Sequence, residues 1–223
     1  MTDLYVLHVL IMAGIWIIGA MSLNLLLGYT GQLSLGHIAF FCIGAYVSSL
    51  VALGFEVTLI GDLKIGMEAK PVWFAMPMGI LFAALCGWVI GKISFKVRGA
   101  YFVIVTVSFA EVVRLVALNW IELTQGPMAL NNIPALKIEI PGLLDLSFVR
   151  KPMGYVLVLT VAIVSYVLIR RLVRSRAGRA MVALRENEPL ARSVGVDVTR
   201  YLVLATVISA GMAGAAGTLY AHY

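Results

Sequence analysis

A long run without formal charge constrains this chain more than any other feature. No Asp, Glu, Lys or Arg lies between Asp3 and Glu56. A helix needs about 20 apolar residues to cross about 30 Å of hydrocarbon, so this run is long enough for two crossings. Of the 223 residues, 61% are apolar and 13% are charged, against roughly 45–50% and roughly 25% in soluble domains. The sequence therefore predicts an all-α, polytopic transmembrane bundle and argues against a soluble enzyme.

The apolar stretches predict about six transmembrane helices, with a glycine-rich break between the first two. The predicted spans are about Tyr5–Leu27, His37–Leu53, Val72–Ile90, Ala100–Ile121, Met153–Ile169 and Tyr201–Tyr223. The break near Gly28–His37 predicts a broken or re-entrant segment, because non-helical backbone at membrane depth must be buried in protein or line a wet cavity. A plain turn at the cytoplasmic surface is the alternative. Small residues spaced four apart in the third and last helices predict close helix packing.

Basic residues predict the orientation, because cytoplasmic loops are enriched in Lys and Arg. The segments Lys92–Arg98 and Arg170–Arg200 are basic, and the second holds eight Arg against three acids. Both are predicted to be cytoplasmic, which leaves the mixed loops Phe55–Pro71 and Glu122–Pro152 and the N-terminus outside. The net charge of +6 is concentrated in one loop, so no nucleic-acid partner is predicted.

Two groups of polar residues are candidates for a translocation path. The break resembles the interrupted helices by which transporters present backbone to a substrate. A charged pair in the fourth helix shares one face, and charges at membrane depth usually point into the bundle or a cavity. A buried pair that only fixes helix packing is the alternative. The candidates are Gly28, Thr30, Gly31, Gln32, Ser34, Gly36 and His37 in the break, and Thr106, Glu111 and Arg114 in the fourth helix.

The basic loop Arg170–Arg200 is too long for a simple turn. Arg179–Glu186 has a helical pattern, and Asn187 or Glu188 could cap a second short helix with Pro189 in its first turn. Gly195 follows, as is usual just beyond a helix end. Leu190, Ala191 and Val194 are predicted to share one side of this amphipathic helix. The loop either lies in the lipid headgroups or docks a soluble partner.

The chemistry-bearing residues form no recognisable catalytic or metal site. His8, His37 and His222 lie in separate segments, and Cys42 and Cys86 lie inside apolar stretches. Gly87–Ser94 lacks the spacing of a phosphate-binding loop. We therefore predict no catalytic residues, no metal and no cofactor bound by this chain.

Several ordered motifs resemble the M-type permease subunits of branched-chain amino-acid ABC importers. They are Asn24-Leu-Leu-Leu-Gly-Tyr-Thr-Gly-Gln-Leu-Ser-Leu-Gly-His37, Gly44-Ala-Tyr46, Val97-Arg-Gly-Ala-Tyr-Phe-Val-Ile-Val-Thr106, Phe109-Ala-Glu-Val-Val-Arg114, Gly178-Arg-Ala180 and Leu184-Arg-Glu-Asn-Glu188 with Gly195. The resemblance covers nearly the whole chain. It implies a single permease domain over 1–223, truncated relative to the family, with a coupling helix in the cytoplasmic loop 170–200.

The resemblance also implies function and partners. It implies a multi-pass subunit of the prokaryotic plasma (inner) membrane that forms the path with a second permease subunit. Two cytoplasmic ABC ATPase subunits would hydrolyse ATP, and an extracytoplasmic substrate-binding protein would deliver Leu, Ile or Val. The ATPase-coupling residues would be Arg185, Glu186, Asn187, Glu188, Ala191 and Gly195, although Pro189-Leu190-Ala191 stand where the general importer pattern has Glu-Ala-Ala. The alternatives are a permease of the same family for another small polar solute, such as urea or a short amide, and a self-sufficient channel or secondary carrier.

Overall fold

The computed structural model describes residues 2–58, 64–95, 101–135, 137–140, 144–147 and 151–223. The helices are α1 (Thr2–Thr30), α2 (Ile38–Leu53), α3 (Val72–Ser94), α4 (Tyr101–Asn119), α5 (Ile121–Thr124), α6 (Lys151–Arg174), α7 (Arg176–Glu186), α8 (Glu188–Ser193) and α9 (Val198–His222). A 3₁₀ turn covers Gly126–Met128. Two antiparallel hairpins, β1 (Phe55–Thr58) with β2 (Lys64–Met67) and β3 (Lys137–Ile140) with β4 (Leu144–Ser147), lie in the predicted outer loops.

The prediction of a transmembrane helical bundle is confirmed. Five helices among the described residues are long and apolar enough to cross a membrane, and the shorter α2 accounts for the sixth predicted span. The largest difference is at α6, which continues to Arg174 rather than ending at Ile169. Of the predicted cytoplasmic segment Lys92–Arg98, positions 96–98 lie outside the described residues, as do parts of both outer loops.

Helix α9 is the centre of the bundle and packs against α3, α2 and α1. Small residues let these backbones approach closely. A Cβ added at Gly214 would lie 2.6 Å from the Cβ of Ala83 in α3, and one at Gly87 would lie 2.5 Å from the Cβ of Ala210. This is the close packing that the spacing of small residues predicts, in an environment where lipid supplies no hydrophobic force between helices.

The remaining helices surround this centre unequally. Ile11, Ile15 and Ile18 of α1 are fully buried, in a cluster that includes Val158 of α6 and Leu219 of α9. Helix α4 makes its helix–helix contacts mainly with α2 and α3. Much of its other side is exposed at apolar and charged residues alike. The fold therefore leaves one face of a transmembrane helix uncovered within the described chain.

Candidate functional site

The break after α1 begins with a helix end whose carbonyl groups have partners. Gly31 adopts a left-handed conformation, with φ of 72°, which glycine reaches without the cost that a Cβ imposes. Its N–H donates to the carbonyl of Leu27 at 3.2 Å, the bond that closes an αL helix end. The carbonyl of Leu26 accepts from the Thr30 hydroxyl at 2.7 Å and from the N–H of Gln32 at 3.2 Å. Helix α1 therefore ends here for a local reason.

The chain then turns back into the bundle. Nε2 of His37 lies 2.8 Å from the hydroxyl of Ser22, and Ser22 precedes the end of α1 by eight residues. At 1.5 Å per residue, α2 therefore begins roughly 12 Å deeper than α1 ends. The segment 31–37 therefore interrupts the helices, as the sequence predicted, and folds back along the last turns of α1; we call it the re-entrant segment. Because α2 begins deeper than α1 ends, it has only 16 residues and is about 24 Å long.

A buried polar network holds the deep end of this segment. The Ser22 hydroxyl donates to the carbonyl of Gly19 at 2.6 Å, and the Ser209 hydroxyl of α9 donates to the carbonyl of Ser22 at 2.5 Å. Because the Ser22 proton is already committed, Nε2 of His37 acts as the donor to its oxygen. Nδ1 of His37 is then an acceptor, and it has no partner among the described residues. The buried hydroxyl of Ser34 likewise has no hydrogen-bond partner among the described residues.

Sequence reasoning missed Ser22 and Ser209 as partners of His37. Both are fully buried, and each lies on an apolar helix where a lone serine is unremarkable. The available signal was a histidine beside a long apolar run, because a histidine that becomes buried needs a hydrogen-bond partner and an apolar helix offers one at a serine.

The segment also contacts α4, through Gly36. A Cβ added at Gly36 would overlap the main-chain carbonyl of Thr106. The Thr106 hydroxyl itself bonds within its own helix, to the carbonyl of Val103 at 2.9 Å. Thr106 therefore meets the segment through its backbone rather than through its side chain.

The charged pair of α4 lies elsewhere. Glu111 and Arg114 form two hydrogen bonds of 2.6 and 2.9 Å with each other, but their side chains are 52% and 59% exposed. Within the described chain the pair neither points into the bundle nor is buried in a way that fixes helix packing, so its place at a translocation path stays a prediction. A helical spacing of three places both side chains on one face, and that face of α4 is the uncovered one.

An apolar cavity of about 560 Å³ lies between α2, α3, α4 and the β1–β2 hairpin. Tyr46, Trp120 and Thr124 are the lining residues whose side chains carry oxygen or nitrogen atoms. None of the described lining residues is charged, so those residues offer nothing to pair with the ammonium and carboxylate of an amino acid.

The basic loop 170–200, which the sequence predicts to be cytoplasmic, folds as two short helices in the predicted order. The Asn187 side chain accepts from the N–H of Leu190 at 3.0 Å and caps α8, and Pro189 lies in the first turn. Gly195 follows with φ of 86°. The predicted apolar side is divided, however: Ala191 is buried, whereas Leu190 is 62% and Val194 is 74% exposed. Only Ala191 packs inward, in a cluster with residues of α7 and α9.

The acidic residues of this loop also face solvent. The side chain of Glu186 is 68% exposed and lies 3.5 Å from Arg185, while Glu188 is 41% exposed and lies 3.4 Å from Arg192. Charged and apolar side chains are therefore both accessible on α7 and α8.

Arg185 joins the two groups of candidate residues. Its Nη1 donates to the carbonyl of Gly28 at 2.5 Å. A Cβ added at Gly31 would lie 3.1 Å from Cγ of Arg185. A cation at the C-terminal end of a helix also interacts favourably with the helix dipole. Residues assigned to coupling and residues assigned to the path are thus in direct contact at the end of α1.

Across the ranges that the structure describes, no group of three or more His, Cys, Asp or Glu side chains is placed to hold a metal ion. The described residues do bring together a re-entrant polar segment, an exposed ion pair and an exposed surface on α7 and α8.

Comparison with known proteins agrees with this architecture. The chain is 34% identical over 237 residues to the high-affinity branched-chain amino acid transport system permease protein LivM of Salmonella typhimurium, covering 94% of this chain and 51% of the relative. It is 34% identical over 234 residues to LivM of Escherichia coli, covering 93% and 50%. It is 24% identical over 211 residues to the permease protein LivH of Salmonella typhimurium, covering 92% and 65%.

The chain spans about half the length of the two LivM relatives. No solved structure matches it. The family described as branched-chain amino acid transport system / permease component matches residues 5–223. The chain therefore belongs to this family of branched-chain amino-acid transport permeases.

Proposed function

We propose that this chain forms a membrane-spanning part of the permease subunit of an ATP-driven importer for branched-chain amino acids. The observation that carries the proposal is the family match over residues 5–223, combined with the re-entrant segment 31–37. That segment carries non-helical backbone and two buried polar atoms, Ser34 Oγ and His37 Nδ1, that have no partner in the part of the chain that the structure describes. In the proposed importer the segment lies at membrane depth. Such segments are where transporters bind polar solutes.

The family and the five apolar helices confirm the prediction of a multi-pass protein of the prokaryotic plasma membrane. The family is one of transport subunits. In the proposed assembly, ATP is bound and hydrolysed by two ABC ATPase subunits rather than by this chain. An extracytoplasmic substrate-binding protein delivers the amino acid.

The exposed ion pair of α4 supports a second permease as neighbour. Charge at mid-helix is costly when it faces lipid, even as a pair, and it normally faces protein or a wet cavity. Glu111 and Arg114 lie on the uncovered face of α4. A second permease against this face would place the pair at the path between the two subunits. The match to LivH, another permease of branched-chain amino acid transport, fits a pair of related subunits.

The exposed surface of α7 and α8 supports docking of an ATPase. Leu190 and Val194 are apolar and accessible, and Glu186 and Glu188 of the same pair of helices are exposed as well. Specific interfaces combine apolar side chains with polar and charged ones.

The first experiment is affinity purification of the full-length protein from its native membrane, with mass spectrometry of the partners. Recovery of a second permease, ATPase subunits and a substrate-binding protein is expected. The binding protein then identifies the solute, and one specific for urea or a short amide would replace the branched-chain assignment. Recovery of the protein alone, together with solute conduction by the pure protein, would refute the importer and favour a channel or carrier.

The second experiment tests coupling in the reconstituted assembly. Replacing Glu186 and Glu188 with Gln is expected to lower substrate-stimulated ATP hydrolysis without reducing membrane insertion. Glu68→Gln, at an exposed position in the loop before α3, is the matched control and should leave stimulation unchanged. Equal stimulation in all three proteins would contradict the coupling assignment.

A further inference from the structure

The re-entrant segment is held at three points by three different elements. Arg185 of α7 holds its cytoplasmic end at Gly28 and Gly31. His37 holds its deep end through Ser22. Between them, Gly36 lies directly against the backbone of α4. The segment therefore contacts α7 at one end and the transmembrane helices α1 and α4 at the other.

The contact with α7 is the only one of the three that reaches a cytoplasmic helix. The side chain of Arg185 is 48% exposed, so it lies on the surface of α7 with its guanidinium directed at the end of α1. It is a charged donor to a helix-end carbonyl, and such bonds are stronger than bonds between neutral groups. Its aliphatic part lies along Gly31, where an added Cβ would lie 3.1 Å from Cγ of Arg185 and crowd it.

We propose that Arg185 is a positioning residue that transmits movement of α7 and α8 to the re-entrant segment. A displacement of α7 pulls on the carbonyl of Gly28 and on Gly31. The segment passes that movement to α4 through Gly36, because backbone in direct contact with backbone has no side-chain freedom to absorb it. The source of the movement, an ATPase on α7 and α8, rests on the proposed function, whereas the link belongs to this chain alone.

The link is tested first without any ATPase. Ser34→Cys places a thiol in the segment at a position that is 4% exposed and whose hydroxyl has no partner among the described residues. Cys42 is replaced by Ala, and native Cys86 of α3, which is half-buried, is kept as an internal reference. Labelling by a membrane-permeant maleimide then reports how often the segment opens in the full-length protein in its membrane.

Arg185→Met removes the guanidinium and keeps an unbranched side chain against Gly31. We expect it to raise the labelling rate at position 34 at least tenfold, the equivalent of about 1.4 kcal/mol, and to leave Cys86 within twofold. Arg179→Met, in the same helix and with a side chain that donates to the carbonyl of Arg174 rather than to the end of α1, should change neither rate. Equal labelling at position 34 in wild type and Arg185→Met, or a parallel rise at Cys86, would overturn the proposal. If Arg185→Met does not accumulate, Arg185→Gln carries the same expectation.

The second arm uses the reconstituted assembly and separates the two proposals. With the link broken, ATP hydrolysis should continue while solute transported per ATP falls at least tenfold. If the wild type shows no ATP-driven transport, the proposed function fails and the labelling result still decides the link. If transport per ATP is unchanged in Arg185→Met, the link does not transmit movement.

Discussion

Two glycines in α9 differ sharply in the space around them, and this difference predicts opposite effects of the same substitution. A Cβ added at Gly217 would overlap the main-chain carbonyl of Phe41 in α2 and lie 3.1 Å from the backbone nitrogen of Ala45. A Cβ added at Gly211 would lie 3.5 Å from its nearest neighbour, the Cβ of Ala84, which is ordinary contact. The neighbour of Gly217 is backbone, so it cannot rotate away.

The magnitude follows from packing and helix propensity. Overfilling a packed core costs about 1–3 kcal/mol, and the upper end applies at Gly217 because helix α2 itself must shift. Alanine in place of glycine stabilises a helix interior by at most about 1 kcal/mol. Gly217→Ala should therefore lower the free energy of unfolding by about 2 kcal/mol, whereas Gly211→Ala should raise it by up to about 1 kcal/mol.

Thermal unfolding of the purified protein in one detergent measures the difference. At about 2–4 °C per kcal/mol for a chain of this size, the midpoints of the two variants should differ by about 6–12 °C, with wild type between them. Equal midpoints for Gly217→Ala and Gly211→Ala would show that α2 and α9 are not in backbone contact at this position.

Three further predictions concern the polar network, the cytoplasmic surface and the ion pair. A double-mutant cycle of His37→Ala and Ser209→Ala should give a coupling free energy of about 0.5–1.5 kcal/mol in the same thermal assay, and additive effects would contradict a shared network. Leu190→Glu combined with Val194→Glu should reduce co-purification of ATPase subunits at least about tenfold, because each exposed apolar side chain is worth about 1.5–3 kcal/mol when buried; unchanged recovery would exclude this surface as the docking site. Arg114→Leu should lower accumulation of the protein in the membrane, because it leaves the Glu111 carboxylate unpaired at a cost of about 2.5–3.5 kcal/mol. Neutralising Glu111 as well should restore accumulation of the protein.

Local features of the fold were predictable because their causes are local. The apolar run before Glu56 contains two helices with a break, and Gly31 ends the first of them in a left-handed conformation. Asn187 caps α8 because its side chain accepts a hydrogen bond from the N–H of Leu190, three residues later. Each of these depends on residues within a few positions along the chain.

The environment of a helix face was not predictable in the same way. Helical spacing places Glu111 and Arg114 on one face, but it does not say whether another helix covers that face. The same applies to Leu190 and Val194, which share an apolar pattern with Ala191 and yet are exposed while Ala191 is buried.

Sequence reasoning predicts the membrane setting, the helices, the break after α1 and the two short helices α7 and α8, because hydropathy, capping and glycine conformation act over short distances. Only the arrangement of the helices in space brings His37 to Ser22 and near Ser209, and brings Arg185 to the end of α1 from a helix 157 residues later in the chain. Such contacts depend on how helices are arranged in space, and the arrangement follows from the packing of many small residues at once rather than from any one motif.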